Sequence, residues 1–162
     1  MGIRKTSATN AYWAEFVAAN RAIDRDYTVV VFGDGSEPWD ELVELVLRGS
    51  KRATASLARD YASGDEPMPQ VGDFVMVVDS MGTPRCIWRT TEIVVKPLID
   101  VDDSFAWDEG EGERTRDSWL RDHRAYFGDQ AGREGFEMSD GLETVFERFE
   151  IVWPPGVADV SV

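Results

Sequence analysis

The chain has 162 residues, with 17 basic and 31 acidic side chains and a formal net charge of −14 at pH 7. A hydrophobic content of 43% is enough for a packed core, which excludes a disordered chain and predicts a single domain over residues 1–162. No apolar run approaches the ~20 residues of a membrane helix and no apolar leader is visible, so we expect a cytoplasmic protein without membrane contact. Cys86 is the single cysteine, which excludes an internal disulfide and a cysteine-built metal site.

The first third of the chain predicts two helices separated by a strand. Apolar residues at helical spacing predict a helix over about residues 9–22, with Thr9 as the candidate N-cap. A short apolar run over 27–32 predicts a strand. Ser36 is the candidate cap of a second helix, which begins near residue 38 and ends at a glycine at position 49.

The remainder predicts a middle rich in strands, then a helix and a closing strand. Strands are predicted over 53–57, 74–78 and 86–98, and the last two are predicted to form a hairpin. A third helix is predicted over about 115–127 and a final strand over 143–153, followed by a short flexible tail after the proline at position 155. Several strands and about three helices, without a βαβ repeat, predict an α+β domain.

The distribution of charge leaves two interpretations open. The negative net charge argues against a protein that coats nucleic acid through its overall field. Eleven of the 17 basic residues nevertheless lie between Arg48 and Arg124. They are either solvated residues paired with carboxylates or a local patch for a short anionic ligand.

A glycine bend places an amine and a hydroxyl close together in the sequence. Gly49 can adopt the left-handed conformation, and Lys51 and Thr54 follow it at the start of a predicted strand. The cations Arg48 and Arg52 would favour a neutral Lys51 amine, able to act as a base for a Thr54 nucleophile. The alternative is an exposed lysine near a helix C-terminus, where a cation is favourable.

An acidic segment over residues 105–113 is the second candidate. Asp108, Glu109, Glu111 and Glu113 can present a general acid or base, or oxygen ligands for a hard metal ion. The alternative interpretation is a polar loop.

The single histidine, His123, follows Trp119 by four residues and shares its helix face. No cysteine lies near it in sequence, and we favour a hydrogen-bonded structural histidine over a catalytic one. We predict no metal and no other cofactor.

Seven short motifs occur in a characteristic order over most of the chain. They are Phe32-Gly33-Asp34, Gly49-x-Lys51-x-x-Thr54, Pro69-x-Val71-Gly72-Asp73, Asp79-x-x-Gly82-x-Pro84, Arg89-Thr90-Thr91-Glu92, Ala106-x-x-Glu109-Gly110-Glu111-Gly112 and Trp119-x-x-x-His123. In this order and spacing the chain resembles the ASCH-domain family of the PUA-like superfamily.

The resemblance implies a small PUA-like β-barrel decorated by about three α-helices, with a cleft beside the glycine bend. Proteins similar to this one are associated with RNA, as binders or ribonucleases. Some shorter relatives are amidohydrolases that remove acyl groups from N4-acylated cytidine, using a Lys, a Thr and a Glu. The matching positions are Lys51, Thr54 and Glu109.

The expected substrate contacts complete the hypothesis. Arg89 or backbone amides of the turn would hold the oxyanion, and Trp107 or Tyr61 would stack on a base. Arg52 and Ser118 are further candidate substrate-binding residues. The expected partner is a small nucleoside, with RNA as the alternative, and the chain is either a monomer or a dimer. A neutral nucleoside needs no basic surface, so the net charge of −14 is less of an objection to a hydrolase than to an RNA binder.

Overall fold

The computed structural model describes residues 5–21, 23–32 and 38–162. Within these ranges the chain forms α-helices α1 (Ser7–Ala19), α2 (Trp39–Arg48), α3 (Asp103–Glu109) and α4 (Arg116–Glu134). It also forms β-strands β1 (Tyr27–Val30), β2 (Ala53–Leu57), β3 (Phe74–Val78), β4 (Pro84–Pro97) and β5 (Glu143–Trp153), with short 3-10 helices at Ala58–Tyr61 and Leu98–Asp100. The α+β class is therefore confirmed.

The five strands form one sheet in the order β1-β3-β4-β5-β2. The β1–β3 pair is parallel and the other pairs are antiparallel, including the predicted β3–β4 hairpin. Strands β1 and β2 are the two edges and do not pair with each other in the described part of the chain, so the sheet is open and the expected barrel is not confirmed. Residues of both edge strands instead line a common cavity.

The predicted strands agree with the structure to within a few residues, whereas the helices differ in number and in their bounds. Helix α1 begins two residues before and ends three residues before the bounds of the predicted range of 9–22, and α4 continues seven residues beyond the predicted end at residue 127. The prediction of three helices missed α3, which occupies part of the segment interpreted as a polar loop. This helix has only seven residues, and its cap Asp102 accepts a hydrogen bond from the Phe105 N–H. Helix α1 is capped by Thr6 rather than Thr9, and the two threonines form a reciprocal capping box. The predicted Ser36 cap lies outside the described residues.

Buried side chains attach the helices firmly to the sheet. One cluster joins Phe105 of α3 and Leu120 and Phe127 of α4 to Phe146 of β5. Other clusters attach α1 and α2 to the central strands. Because α3 and α4 share one buried cluster, Glu109 at the end of α3 and His123 on α4 are held in defined positions relative to each other.

The segment after Pro155 returns to the sheet at Asp159. Its carboxylate accepts a hydrogen bond from the Ile151 N–H at 2.8 Å and two from the Arg52 guanidinium at 2.8 and 2.9 Å. Asp159 thereby connects the C-terminal segment, strand β5 and the turn before β2. None of the helices in the described ranges has the length and apolar character needed to cross a membrane.

Candidate active site

A cavity of about 1040 Å³ lies between the two edge strands of the sheet. Its walls include residues of β1 and, from the central strands, Val75 and Trp88. Polar side chains of the lining include Lys51, Thr54, Glu109, Glu111, His123 and Glu147. The cavity therefore collects groups from β2, β5, α4 and the end of α3.

Lys51 lines this cavity with a buried side chain. Helix α2 ends at Gly49, whose φ of 94° is left-handed, and the chain then turns inward. The side chain of Lys51 is 1% exposed, and its Nζ lies 2.8 Å from Oε2 of Glu111 and 3.7 Å from Oε1 of Glu109. A buried ammonium ion needs such partners, because desolvation otherwise disfavours the charge.

The end of α3 is held directly against this turn. The Arg52 N–H donates to the carbonyl of Asp108 at 2.6 Å, and Gly110 ends α3 with a φ of 76°. A Cβ on Gly110 would lie 2.2 Å from the carbonyl oxygen of Ser50, so only glycine permits this approach. The close contact brings the carboxylates on both sides of Gly110 to Lys51.

His123 completes the cluster from α4. Its Nε2 lies 3.0 Å from Oε1 of Glu109, and its Nδ1 lies 2.8 Å from the carbonyl oxygen of Trp119. Both partners are acceptors, so a doubly protonated imidazolium satisfies both contacts. Burial lowers the pKa of His123, but the charge and hydrogen bond of Glu109 outweigh burial and raise it above its ordinary value.

The pKa values of the two carboxyl groups near Lys51, Glu109 and Glu111, shift in opposite directions. Burial raises the pKa of Glu109, but the positive charges of His123 and Lys51 outweigh it and lower this pKa overall. The pKa of Glu111 is raised, because burial and the charge of Glu109 together outweigh the attraction of Lys51. Oε2 of Glu109 is buried without a hydrogen-bond donor in the described ranges. A proton on Glu111 is one way to supply that donor.

Thr54 also lines the cavity, next to the buried carboxyl group of Glu147. The β2–β5 register pairs Thr54 with Glu147, and directly opposed residues project from the same face of a sheet. Glu147 is 7% exposed and accepts a hydrogen bond from the Thr90 hydroxyl at 2.7 Å. Burial, and to a smaller degree the charge of Asp73, raises the pKa of Glu147 to about 7 against the effects of Thr90 and Trp88.

The cavity includes four of the residues predicted from the sequence. Lys51, Thr54, Glu109 and Tyr61 all line it. The Tyr61 hydroxyl lies 2.7 Å from Oγ of Ser56, and burial raises the pKa of Tyr61 to about 12. The aromatic ring is therefore a neutral part of the wall.

The two predicted arginines do not line the cavity. The Arg52 guanidinium donates to Asp159 and to the carbonyl of Val46, and Arg89 forms an ion pair with Glu150 on β5. Their donors are directed to protein acceptors, so neither is positioned as a substrate ligand in this structure.

Trp107 and Ser118 also lie outside the cavity lining. Trp107 is 57% exposed, and the Arg114 guanidinium lies 3.8 Å from the centroid of its ring. Ser118 is 2% exposed, and its Oγ lies 3.3 Å from Nη2 of Arg121. Trp107 therefore lies on the surface of α3, whereas Ser118 is enclosed near the start of α4.

Two polar residues of the cavity are not among the functional groups that the sequence predicts, and a third is only one of four equivalent candidates. Glu111 belongs to the acidic segment over residues 105–113, where local sequence does not distinguish it from its neighbours, and His123 is predicted to be structural. Glu147 has no local signal, because its proximity to Thr54 depends on the pairing of strands far apart in the chain. In the described ranges no group of three or more His, Cys, Asp or Glu side chains is arranged to hold a metal ion.

The architecture is an α+β fold with an open five-stranded sheet and a charged cavity between the edge strands. The chain belongs to the ASCH domain family, because its residues 28–153 match that family. It is similar to the crystal structure of an ASCH domain from Lactobacillus crispatus, with 28% identity, a TM-score of 0.81 and coverage of 90% of this chain and 94% of that one. It is also similar to a protein from Enterococcus faecalis, with 29% identity, a TM-score of 0.79 and coverage of 88% and 86%. A comparison with curated proteins gives no match.

The buried carboxyl of Glu147 predicts a specific dependence of stability on pH. Its pKa rises on folding from an ordinary value of 4.5 to about 7, so folding favours the protonated form. The associated stability is fully present below about pH 4.5 and is lost as the pH rises through about 7, with a total of ~3 kcal/mol. Urea unfolding at several pH values checks this, with Glu147→Gln as the comparison. The difference in unfolding free energy between the wild type and Glu147→Gln should change between about pH 4.5 and pH 7. A difference that stays constant over this range contradicts the prediction.

Proposed function

We propose that this ASCH domain is a hydrolase that removes the acyl group from a nucleoside of the N4-acylated cytidine type. Thr54 is the nucleophile, and Lys51 and Glu109 assist it. The observation that carries the proposal is that these three side chains line one cavity, with Nζ of Lys51 3.7 Å from Oε1 of Glu109. The family resemblance supports the same three positions.

Lys51 takes a role different from the base suggested by the sequence. Its nearest charged groups are the carboxylates of Glu109 and Glu111, whereas Arg52 is engaged with Asp159. These ion pairs favour a positive charge at the cavity wall. Such a charge stabilises the oxyanion that forms when Thr54 attacks the acyl carbonyl.

Glu109 and His123 supply the proton for the leaving amine. Nε2 of His123 faces Oε1 of Glu109, and the charge of Glu109 raises the pKa of His123 and favours the imidazolium. The buried Oε2 of Glu109 has no donor in the described ranges. An imidazolium that passes its proton through the Glu109 carboxylate is a suitable acid for the exocyclic nitrogen of a nucleobase.

The cavity suits a neutral nucleoside better than a nucleic acid chain. Its volume of about 1040 Å³ is at the upper end of the range for small-molecule sites. Several arginines of the basic stretch are paired with carboxylates, including Arg52, Arg85, Arg89 and Arg124. Their positive charge is partly compensated, which reduces the attraction for a phosphate backbone.

Release of cytidine from N4-acetylcytidine, followed by chromatography, tests the proposal. Thr54→Ala removes the nucleophile and is expected to lower kcat by about 1000-fold or more. Thr54→Ser retains a hydroxyl and should keep measurable turnover. Thr91→Ala, an exposed threonine on β4 outside the cavity lining, is the matched control and should leave turnover unchanged.

The same assay distinguishes the hydrolase from the alternative, which is an RNA-binding module or a ribonuclease acting on single-stranded RNA. If the wild type releases no cytidine but retains or cleaves single-stranded RNA, the RNA function replaces the hydrolase. Binding to RNA would weaken steeply with salt, whereas nucleoside hydrolysis would be nearly insensitive to it.

A further inference from the structure

Glu147 is a buried carboxyl group of the cavity that the proposed reaction does not yet use. It lies on β5 directly opposite Thr54 on β2, and both side chains line the cavity. In an antiparallel pair, the Cβ atoms of opposed residues lie about 4.5–5.5 Å apart. A carboxyl group and a hydroxyl at this spacing are within reach of a hydrogen bond after rotation of their side chains.

The surroundings of Glu147 hold it toward the cavity. Its Oε2 accepts a hydrogen bond from the Thr90 hydroxyl at 2.7 Å, and Thr90 itself is 1% exposed on β4. No ion pair joins Glu147 to a cation in the described ranges, in contrast to Glu109 and Glu111. A buried carboxyl without a salt bridge is costly to keep ionised, and such groups are typical of sites that exchange protons.

We propose that Glu147 is the general base that takes the proton from Thr54 as its oxygen attacks the acyl carbonyl. The role of Thr54 as a nucleophile rests on the proposed function. Lys51 then acts on the oxyanion rather than on the hydroxyl. A group that titrates near neutrality is the most effective base at that pH, and the pKa of Glu147 is about 7.

The step is balanced within the cavity. The O–H bond of Thr54 breaks and its proton goes to the carboxylate of Glu147, while a bond forms between Oγ and the carbonyl carbon. The π pair of the carbonyl moves to its oxygen, beside the Lys51 ammonium. The oxyanion then reforms the carbonyl and expels the amine, which takes the His123 proton through Glu109, and an ester on Thr54 remains. Glu147 passes its proton through solvent to the His123–Glu109 pair. Water then attacks the ester and gives a proton to Glu147, which returns it to Oγ of Thr54 as the carboxylic acid leaves.

Acetylation of Thr54 by p-nitrophenyl acetate tests the inference without the nucleoside. The full chain is treated with this reagent, and the acetyl group is located by peptide mass spectrometry. Glu147→Gln preserves the size and the hydrogen-bonding capacity toward Thr90, but it cannot accept the proton. We expect acetylation of Thr54 to be at least about 100-fold slower in this variant. Glu143→Gln, an exposed carboxylate on the same strand, is the matched control and should acetylate at the wild-type rate.

The outcomes separate the two proposals when turnover of N4-acetylcytidine is measured in parallel. If Thr54 is acetylated in a Glu147-dependent manner but N4-acetylcytidine is not hydrolysed, the base is supported and the proposed substrate is wrong. If the wild type and Glu147→Gln hydrolyse it equally fast, the base is wrong and the hydrolase stands. A folded wild type without any acetyl group on Thr54 overturns both. A thermal melt of each variant establishes that loss of reaction is not loss of folding.

Discussion

Replacing Lys51 by methionine is expected to lower the free energy of unfolding by about 3–5 kcal/mol and to abolish turnover. Lys51 is fully buried, and the substitution removes the ammonium that pairs with Glu111 and leaves Glu109 with His123 as its cation. Uncompensated buried charge accounts for the loss of stability. Loss of the positive charge beside the oxyanion should lower kcat by at least about 100-fold.

Two further variants make this prediction specific. Lys96→Met, a partly buried lysine on β4, should change the unfolding free energy by less than about 1 kcal/mol and leave turnover unchanged. The double variant Lys51→Met with Glu111→Gln removes the carboxylate that loses its Lys51 partner, so it should regain part of the stability but none of the activity. Urea unfolding and cytidine release measure both quantities. A Lys51→Met protein as stable as the wild type would show that the ion pairs contribute nothing.

Replacing Gly110 by alanine is expected to be the most damaging substitution of a glycine. The new Cβ would lie 2.2 Å from the carbonyl oxygen of Ser50 and 2.9 Å from the backbone nitrogen of Lys51, so the end of α3 must move away. The left-handed φ of 76° adds a conformational cost of about 1–2 kcal/mol. We expect a total loss of about 3–5 kcal/mol of unfolding free energy.

Gly82→Ala separates the steric contribution from the conformational one. Gly82 has a similar φ of 79°, but nothing lies within 4 Å of a Cβ there. It should therefore cost only about 1–2 kcal/mol and leave hydrolysis intact. Gly110→Ala should also lose hydrolysis, because it displaces Glu109 and Glu111 from Lys51. Equal losses of stability in the two variants would contradict the close contact between α3 and the turn before β2.

Local patterns were sufficient to predict most elements of the fold. Most strands have a distinct apolar run or an alternation of apolar and charged residues, and the closing strand over residues 143–153 was predicted with the bounds that the structure has. These runs can be recognised because residues close in sequence decide them. Helix α3 escaped prediction because seven residues with a polar second half form too short a pattern, and because its stability depends on packing against Phe146.

The residues of the candidate site also differ in how far local sequence predicts them. The glycine bend and the order of the motifs were enough to single out Lys51, Thr54 and Glu109, which line one cavity. The predicted contacts of Arg89 and Trp107 depended on where their side chains point. Tertiary structure directs Arg89 to Glu150 and leaves Trp107 on the surface beneath Arg114.

What the sequence by itself determined is most of the secondary-structure elements, the family and a lysine after a glycine bend. Only the tertiary structure decided that the sheet stays open, that His123 supports Glu109, and that Thr54 faces Glu147. The physical reason is that strand register and helix docking are set by packing between distant segments. A shift of one residue in the β2–β5 register would place Thr54 and Glu147 on opposite faces, and no local pattern encodes that choice.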